Sequence, residues 1–205
     1  MKLYGRYASP YVRRVAVTLT HLGLPYEQVV ISSVTDPEGV RKINPLGKVP
    51  LLALDDGADL VDSTAILDYV LGDMKPDTDL LPASGPARRD IVQMCIIATT
   101  VLEKTIYGIY ETSKRPEEKY HLPVRDDMHV QVRNGLGMLQ ARAVGAGPWL
   151  NGTHMTLADI TVACMWAFLQ RVTPALADAQ AFPALQRLGA HCASLPIFRA
   201  CTPEA

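Results

Sequence analysis

The stretch DMKPDTDLLPASGP, residues 73–86, constrains the fold most, because the hydrophobic pattern differs on its two sides. The stretch holds three prolines and shows neither a helical nor a strand period, which is typical of a linker. The sequence therefore predicts two domains, residues 1–75 and residues 87–205, joined by a linker over residues 76–86.

The two predicted domains belong to different structural classes. Before the linker, short apolar runs and amphipathic stretches follow one another in the order β-α-β-α-β-β-α. After the linker, apolar residues recur at helical spacing throughout. These patterns predict a small α/β domain followed by an all-α helical bundle.

Composition excludes several classes of partner. With 205 residues, 48% of them hydrophobic, the chain can bury a core without disulfides or metals. A net charge of −1 provides no basic field for nucleic acid or anionic lipid. The four cysteines are far apart and form no CxxC, which argues against a zinc site. Because we also find no secretory leader and no apolar run near about 20 residues, we expect a cytoplasmic protein without metal, membrane or nucleic-acid partners.

Ser9 in YASPYVRR precedes a proline, and this pair suits a helix start, with serine as N-cap and Pro10 in the first helical position. The same place suits an anion, because a helix N-terminus presents free N–H groups and a partial positive charge. Arg13, one helical turn later, adds electrostatic support if it faces the same way. The residues alone leave both roles of Ser9 open.

The segment NPLGKVPLL, residues 44–52, places a proline at the head of an apolar strand. A cis Val49-Pro50 bond would leave the Val49 backbone unpaired, so that it could bond an extended peptide as an added strand. The alternative is that Asn44-Pro45 and Gly47 only form a tight turn. The pattern leaves both readings open, because cis bonds are a minority among X-Pro bonds.

The segment VDSTAI, residues 61–66, opens another predicted helix. Asp62 or Ser63 can serve simply as its N-cap. Alternatively, the amides and hydroxyl at this helix start hold a carboxylate, while Asp62 accepts from an ammonium group. A single ligand that carries both a carboxylate and an ammonium group would need this pairing of a helix start with an acidic side chain.

The segment GTHMTLAD in the helical part favours a structural role, because Thr156 and Asp159 fit a capping box at the start of an apolar helix. Aromatic residues offer a less specific signal. They could line a hydrophobic pocket, but aromatic residues at helical spacing are more often core. The candidates are Tyr11, Tyr107, Tyr110 and Trp166.

Taken together, SPYVRRV, NPLGKVPLL, DSTAI and GTHMTLAD, in this order and spacing, resemble the cytosolic glutathione S-transferase superfamily over essentially the whole chain. The likeness is to bacterial members with a serine-type start and to the plant tau class. It implies a thioredoxin-like N-terminal domain that binds glutathione. It also implies a helical domain that contributes a hydrophobic substrate pocket.

The resemblance also implies roles for the matching residues. Ser9 is similar to the catalytic residue whose hydroxyl donates a hydrogen bond to the glutathione sulfur. Val49 resembles the residue that pairs its backbone with the cysteinyl unit, ahead of a cis Pro50. Asp62 and Ser63 resemble the acidic-Ser pair that holds the γ-glutamyl group, although the family often has Glu where Asp62 stands.

Further expectations come from the same likeness. Lys48 matches a position that reaches the glycyl carboxylate in related classes. The implied activity is glutathione transfer to small hydrophobic electrophiles in detoxification, by a homodimer that uses glutathione as co-substrate. Glutathione-dependent isomerisation, peroxide reduction and a non-enzymatic interaction role stay open as alternatives.

Overall fold

The computed structural model describes residues 1–143, 147–150 and 152–203. The strands are β1 (Lys2–Tyr4), β2 (Glu27–Val29), β3 (Leu51–Ala53) and β4 (Asp59–Val61). The helices are α1 (Pro10–His21), α2 (Pro37–Ile43), α3 (Ser63–Tyr69), α4 (Gly85–Ser113), α5 (Leu122–Arg142), α6 (Leu157–Val172), α7 (Pro183–Ser194) and α8 (Pro196–Ala200). The order β1-α1-β2-α2-β3-β4-α3 confirms the predicted α/β part, and the long helices that follow confirm the predicted helical part.

The four strands form one sheet in the order β2-β1-β3-β4. β1 runs parallel to β2 and antiparallel to β3, and β3 and β4 pair antiparallel as a hairpin. In this register Tyr4 pairs with Leu51, which in turn pairs with Val61. The C-terminal end of β1, the N-terminal end of β3 and the C-terminal end of β4 therefore lie side by side. They form one edge of the sheet, an edge made of strand ends.

The chain divides into two compact units. The first unit contains Met1–Gly85 together with the C-terminal segment from Ala193, and the second contains Pro86–Cys192. This differs from the predicted division, which assigned every residue after position 86 to the helical domain. Leu80 and Leu81, within the predicted linker, are also buried.

In the first unit, α1 buries every residue from Val12 to Leu19 and packs against β1, α3 and α8. The contact with α8 explains why the C-terminal segment belongs to this unit. The guanidinium of Arg13 donates hydrogen bonds to the carbonyl oxygens of Phe198 and Cys201, so the segment is bonded to α1.

In the second unit, α6 lies in the core, as its apolar composition predicts, with Ile160, Trp166 and Leu169 buried. By length and composition alone, α4 is long and apolar enough to cross a membrane. Half of its apolar 18-residue stretch is nevertheless buried inside the protein. Such burial is also found in ordinary core helices. The expected absence of a membrane partner stays a prediction.

Candidate functional site

Three predicted segments meet at the sheet edge that the strand register defines. The β1–α1 loop follows Tyr4, the Val49-Pro50 pair precedes Leu51, and Asp62 follows Val61. Adjacent strands lie about 4.8 Å apart, so β1 and β4, on either side of β3, are separated by about 10 Å. An extended tripeptide spans a similar length, at about 3.4 Å per residue. The edge therefore has the dimension of a short peptide.

Ser9 is the N-cap of α1, as predicted, with extended backbone angles. Its side-chain oxygen accepts from the Val12 N–H at 3.4 Å, a long distance that indicates a weak cap. The side chain is only partly buried. Among the residues that the structure describes, no acceptor is recorded for the hydroxyl proton, so Ser9 can donate to a ligand while it caps the helix.

Gly5 brings the β1–α1 loop close to Val49. A Cβ added to Gly5 would clash with Val12 Cγ2 and would lie 3.2 Å from Val49 Cβ. The φ of Gly5, +135°, is also one that residues with side chains rarely adopt. Only glycine therefore permits this approach. As a result, the segment that carries Ser9 lies next to the Val49-Pro50 pair.

The Val49-Pro50 bond is cis, the form that the sequence left open. Pro50 is buried, whereas Val49 is partly exposed. Within residues 1–143, 147–150 and 152–203, no hydrogen-bond partner is recorded for the Val49 backbone. A free N–H and C=O at a sheet edge can pair with an extended peptide, which is the arrangement that strand addition requires.

Asn44 organises the loop that leads to this pair, a role that sequence reasoning missed. Its side chain is 2% exposed. Nδ2 donates to the Lys48 carbonyl at 2.8 Å, and Oδ1 accepts from the Leu46 N–H at 3.1 Å. The expected turn is therefore present, but a buried amide side chain holds it. Lys48 itself is exposed at the end of this loop.

Asp62 and Ser63 begin α3 at the same edge. Asp62 has φ +71° and ψ 131°, and its Oδ1 accepts from the Thr64 N–H at 2.7 Å. A positive φ is unfavourable for a residue other than glycine, and such strain of about 1–3 kcal/mol clusters at functional sites. Asp62 is exposed, whereas Ser63 is 2% exposed. The helix start is thus both a cap and a place where a carboxylate can meet free N–H groups.

The guanidinium of Arg13 is buried and is hydrogen-bonded to the C-terminal segment of the first unit. Arg13 is 8% exposed, and Nε and Nη2 donate to the Cys201 and Phe198 carbonyls at 2.9 and 3.3 Å. Electrostatic support of the Ser9 site by Arg13 stays a prediction, because bonds to neutral carbonyl oxygens leave the positive charge of the guanidinium in place. One helical turn of spacing could not reveal a partner 188 residues away in the chain.

The aromatic candidates fall into two groups. Trp166 is 1% exposed and its Nε1 donates to Gln186 Oε1 at 3.1 Å, so the core alternative holds for it and the pocket expectation is corrected. Tyr107 and Tyr110 are exposed on α4, and Tyr11 is partly exposed on α1. For these three tyrosines, contact with a hydrophobic substrate stays a prediction.

Thr156 and Asp159 form the predicted capping box of α6. Asp159 is completely buried and accepts three hydrogen bonds, from the Thr156 N–H and hydroxyl at 2.8 and 2.7 Å and from the Leu150 N–H at 2.8 Å. Burial raises the pKa of Asp159, and these bonds oppose the change. These bonds hold the start of α6, as the predicted capping box requires.

Metal binding finds no support in the part of the chain that the structure describes, where no three His, Cys, Asp or Glu residues are grouped to hold an ion. The four cysteines are buried and form no disulfide within the described part of the chain. The expectation of a site without metal stays a prediction.

Comparison with known proteins agrees with this geometry. The model of the glutathione S-transferase N-terminal domain matches residues 3–76, and that of the C-terminal domain matches residues 123–188. The sheet unit and the helical unit thus define a two-domain protein of the glutathione transferase fold. The chain belongs to the cytosolic glutathione S-transferase superfamily.

Individual relatives cover most of the chain. A glutathione transferase family member from Pseudomonas fluorescens Pf-5, solved with bound glutathione, is 30% identical, with a TM-score of 0.87 over 100% of this chain and 99% of that one. The maleylacetoacetate isomerase of Pseudomonas aeruginosa is 28% identical over 99% of this chain and 96% of its own length. Elongation factor 1-gamma of Sus scrofa is 32% identical over 82% of this chain, but the match spans only 37% of that protein.

Proposed function

We propose that this protein is a glutathione transferase that activates glutathione as its thiolate for attack on small hydrophobic electrophiles. The observation that carries the proposal is the meeting of Ser9, the cis Val49-Pro50 pair and Asp62-Ser63 at one edge of the sheet, about one tripeptide length across. The glutathione bound to the Pseudomonas fluorescens relative supports the choice of tripeptide.

In this proposal each part of the edge binds a different part of glutathione. The unpaired Val49 backbone bonds the cysteinyl unit as an added strand. The start of α3 at Ser63 holds the γ-glutamyl carboxylate, and the exposed carboxylate of Asp62 accepts from the ammonium group. Lys48 is exposed and can reach the glycyl carboxylate as a flexible cation.

The energy required to ionise the thiol is within the reach of Ser9. A free thiol has a pKa near ~8.5, and lowering it by about two units takes roughly 2.7 kcal/mol of preferential stabilisation of the anion. A hydrogen bond to a charged acceptor contributes ~1.5–3 kcal/mol, and the N-terminus of α1 adds ~0.3–1 kcal/mol. Because the Ser9 hydroxyl keeps its proton for an acceptor, it can supply the first contribution. The thiol proton passes to water, and the thiolate sulfur then forms a bond to an electrophilic carbon. That carbon loses its leaving group with the bonding electron pair or, in an activated double bond, the displaced π pair takes up a proton.

The test is Ser9→Ala, with thiolate absorbance of bound glutathione titrated against pH. We expect the pKa of the bound thiol to rise by about one to two units, while the glutathione dissociation constant changes less than about threefold. Ser84→Ala, at an exposed serine of the same unit, is the matched control and should leave both quantities unchanged. An unchanged thiol pKa in Ser9→Ala would remove the role assigned to Ser9.

A glutathione-dependent isomerase is the second candidate, because the maleylacetoacetate isomerase relative aligns over nearly the full length of both chains. An isomerase would return the thiolate after each turnover and consume no glutathione. Incubation with maleylacetoacetate and with an activated aryl halide, while free thiol is measured, separates the two. Product without thiol loss indicates isomerisation, and stoichiometric thiol loss indicates transfer.

A non-enzymatic role in protein interaction is the alternative from a different class, and we consider it because 82% of this chain matches part of elongation factor 1-gamma. The two classes differ in glutathione binding. Retention on immobilised glutathione supports the enzyme, whereas no binding at millimolar glutathione supports the interaction role. We also propose a cytoplasmic homodimer, for which light scattering of the purified protein and fractionation of cells are the tests.

A further inference from the structure

We propose that the C-terminal segment around Cys201 holds Ser9 in its productive position, with Arg13 and Tyr26 as positioning residues. This inference rests on the proposed function, because it concerns the geometry with which the Ser9 hydroxyl meets the glutathione sulfur. The segment is bonded to the chain on both sides of Ser9, through Arg13 after it and through Tyr7 before it.

The first connection runs through Arg13. The Arg13 N–H donates to the Ser9 carbonyl at 2.9 Å, which closes the first turn of α1. Its side chain donates to the Cys201 and Phe198 carbonyls, and its Cζ lies 5.7 Å from the centroid of the Phe198 ring. Carbonyls at the end of a helix lack partners within that helix, and a cation is favourable there. Arg13 therefore links the turn that carries Ser9 to the end of α8.

The second connection runs through two tyrosines. The Cys201 Sγ lies 3.9 Å from the Tyr26 hydroxyl, which lies 2.8 Å from the Tyr7 hydroxyl. Tyr7 precedes Ser9 by two residues in the β1–α1 loop. The Thr20 hydroxyl, 3.6 Å from Cys201 Sγ, holds the sulfur from α1. Burial raises the pKa of Tyr26, so its hydroxyl stays protonated and available for this bond.

The two connections act on Ser9 without touching a ligand. Arg13 is 8% exposed and Cys201 is 1% exposed, so both lie beneath the surface. A hydrogen bond weakens steeply as its angle departs from linearity, and a small displacement of a catalytic group costs rate. Loss of a connection should therefore lower the thiolate fraction more than it lowers glutathione affinity.

The experiment compares Arg13→Gln and Arg13→Lys with Arg199→Gln. Arg199 is exposed on α8, the short helix that also contains Phe198. Arg199→Gln therefore removes one positive charge, as Arg13→Gln does, but leaves the hydrogen bonds of Arg13 intact. For Arg13→Gln we expect kcat at saturating glutathione and the thiolate absorbance at neutral pH to fall about tenfold, with the glutathione dissociation constant within about threefold. Arg13→Lys keeps the charge but cannot reproduce the planar fork, so its loss should be intermediate. Arg199→Gln should match the natural chain.

Tyr26→Phe carries the test independently, because it removes one hydroxyl with almost no change in volume. We expect a fall of about threefold in thiolate absorbance, with glutathione affinity unchanged. If folded Arg13→Lys and Tyr26→Phe retain the natural thiolate fraction and kcat, the inference is overturned while the proposed function stands. If the natural chain itself binds no glutathione or shows no bound thiolate, the proposed function fails and this inference fails with it.

Discussion

The starts of α1 and α6 use similar residues in opposite ways. Ser9 caps α1 with a long 3.4 Å bond and is partly exposed. Thr156 starts α6 at 5% exposure, and its N–H and hydroxyl donate to Asp159 at 2.8 and 2.7 Å. A cap whose bonds are short and complete has no capacity left for a ligand. A cap that makes one long hydrogen bond keeps a hydroxyl donor that can bond a ligand.

The acidic residues at helix starts repeat this difference. Asp159 is buried and both of its carboxylate oxygens accept hydrogen bonds. Asp62 is exposed, and only Oδ1 has a partner recorded among the described residues, the Thr64 N–H. It also has a positive φ, an unfavourable conformation that the capping of α6 avoids. Incomplete satisfaction and strain thus coincide at the candidate site.

The largest expected effect is that of Asp159→Asn on the stability of the second unit. In the natural chain, backbone N–H groups donate to both oxygens of the Asp159 carboxylate. Asparagine would place an NH2 donor against one of these N–H groups, so we expect the free energy of unfolding to fall by about 3 kcal/mol. Urea denaturation followed by circular dichroism measures it. Asp178→Asn, at an exposed aspartate, is the control and should shift stability little. A small effect of Asp159→Asn would contradict the claim that this helix start is purely structural.

The two caps can be compared directly by truncating each hydroxyl residue to alanine. Thr156→Ala should lower the free energy of unfolding by about 1–2 kcal/mol, and Ser9→Ala by about 0.5 kcal/mol, because the Ser9 bond is long. Both are measured by urea denaturation in the absence of glutathione. Equal losses of stability would show that Ser9 is an ordinary cap. They would contradict the functional difference that we draw between Ser9 and Thr156.

Asp62→Asn tests whether the exposed acid serves a ligand. Asparagine tolerates a positive φ and keeps an oxygen for the Thr64 N–H, so the fold should be preserved. Loss of the negative charge should raise the glutathione dissociation constant about tenfold, as measured by calorimetry. Asp59→Asn, exposed on β4, is the matched control. Unchanged affinity in Asp62→Asn would leave Asp62 as a cap only.

The smallest expected effect is a pH dependence from Asp159. Burial raises its pKa above the ordinary value of 3.8, so the unfolded chain ionises this group before the folded chain does. The part of the stability that comes from this pKa shift, apart from the hydrogen bonds that the carboxylate accepts, is therefore complete below the ordinary pKa and is lost as the pH rises through the folded pKa. The stability difference between the natural chain and Asp159→Asn should shrink over that window. If the stability difference between the two proteins instead widened as the pH rose, the direction that we assign to the pKa shift of Asp159 would be wrong.

Much of the site could be predicted from short segments. Ser9 with Pro10 specifies a helix start, and the capping box at Thr156 specifies another, because these signals act within one helical turn. The order of strands and helices follows from local hydrophobic period in the same way. The structure confirms these predictions because they depend on neighbours in the chain.

The missed features all depend on residues that are far apart or on burial. The sequence predicts Asn44 only as part of a turn, whereas in the structure its buried amide donates a hydrogen bond to the Lys48 carbonyl. The hydrogen-bond partners of the Arg13 side chain lie at Phe198 and Cys201, far from Arg13 in the sequence. The buried leucines of the predicted linker and the return of α8 to the first unit belong to the same class.

The sequence by itself determined which residues start helices, which segments are candidates for binding a tripeptide, and the superfamily that their order resembles. Only the tertiary structure decided that Tyr4, Leu51 and Val61 share one edge of a sheet, which brings those segments together. It also decided that the C-terminal segment is bonded to α1. The physical reason is that capping and period act over a few residues, whereas strand register and the partners of a buried cation are set by the packing of the whole unit.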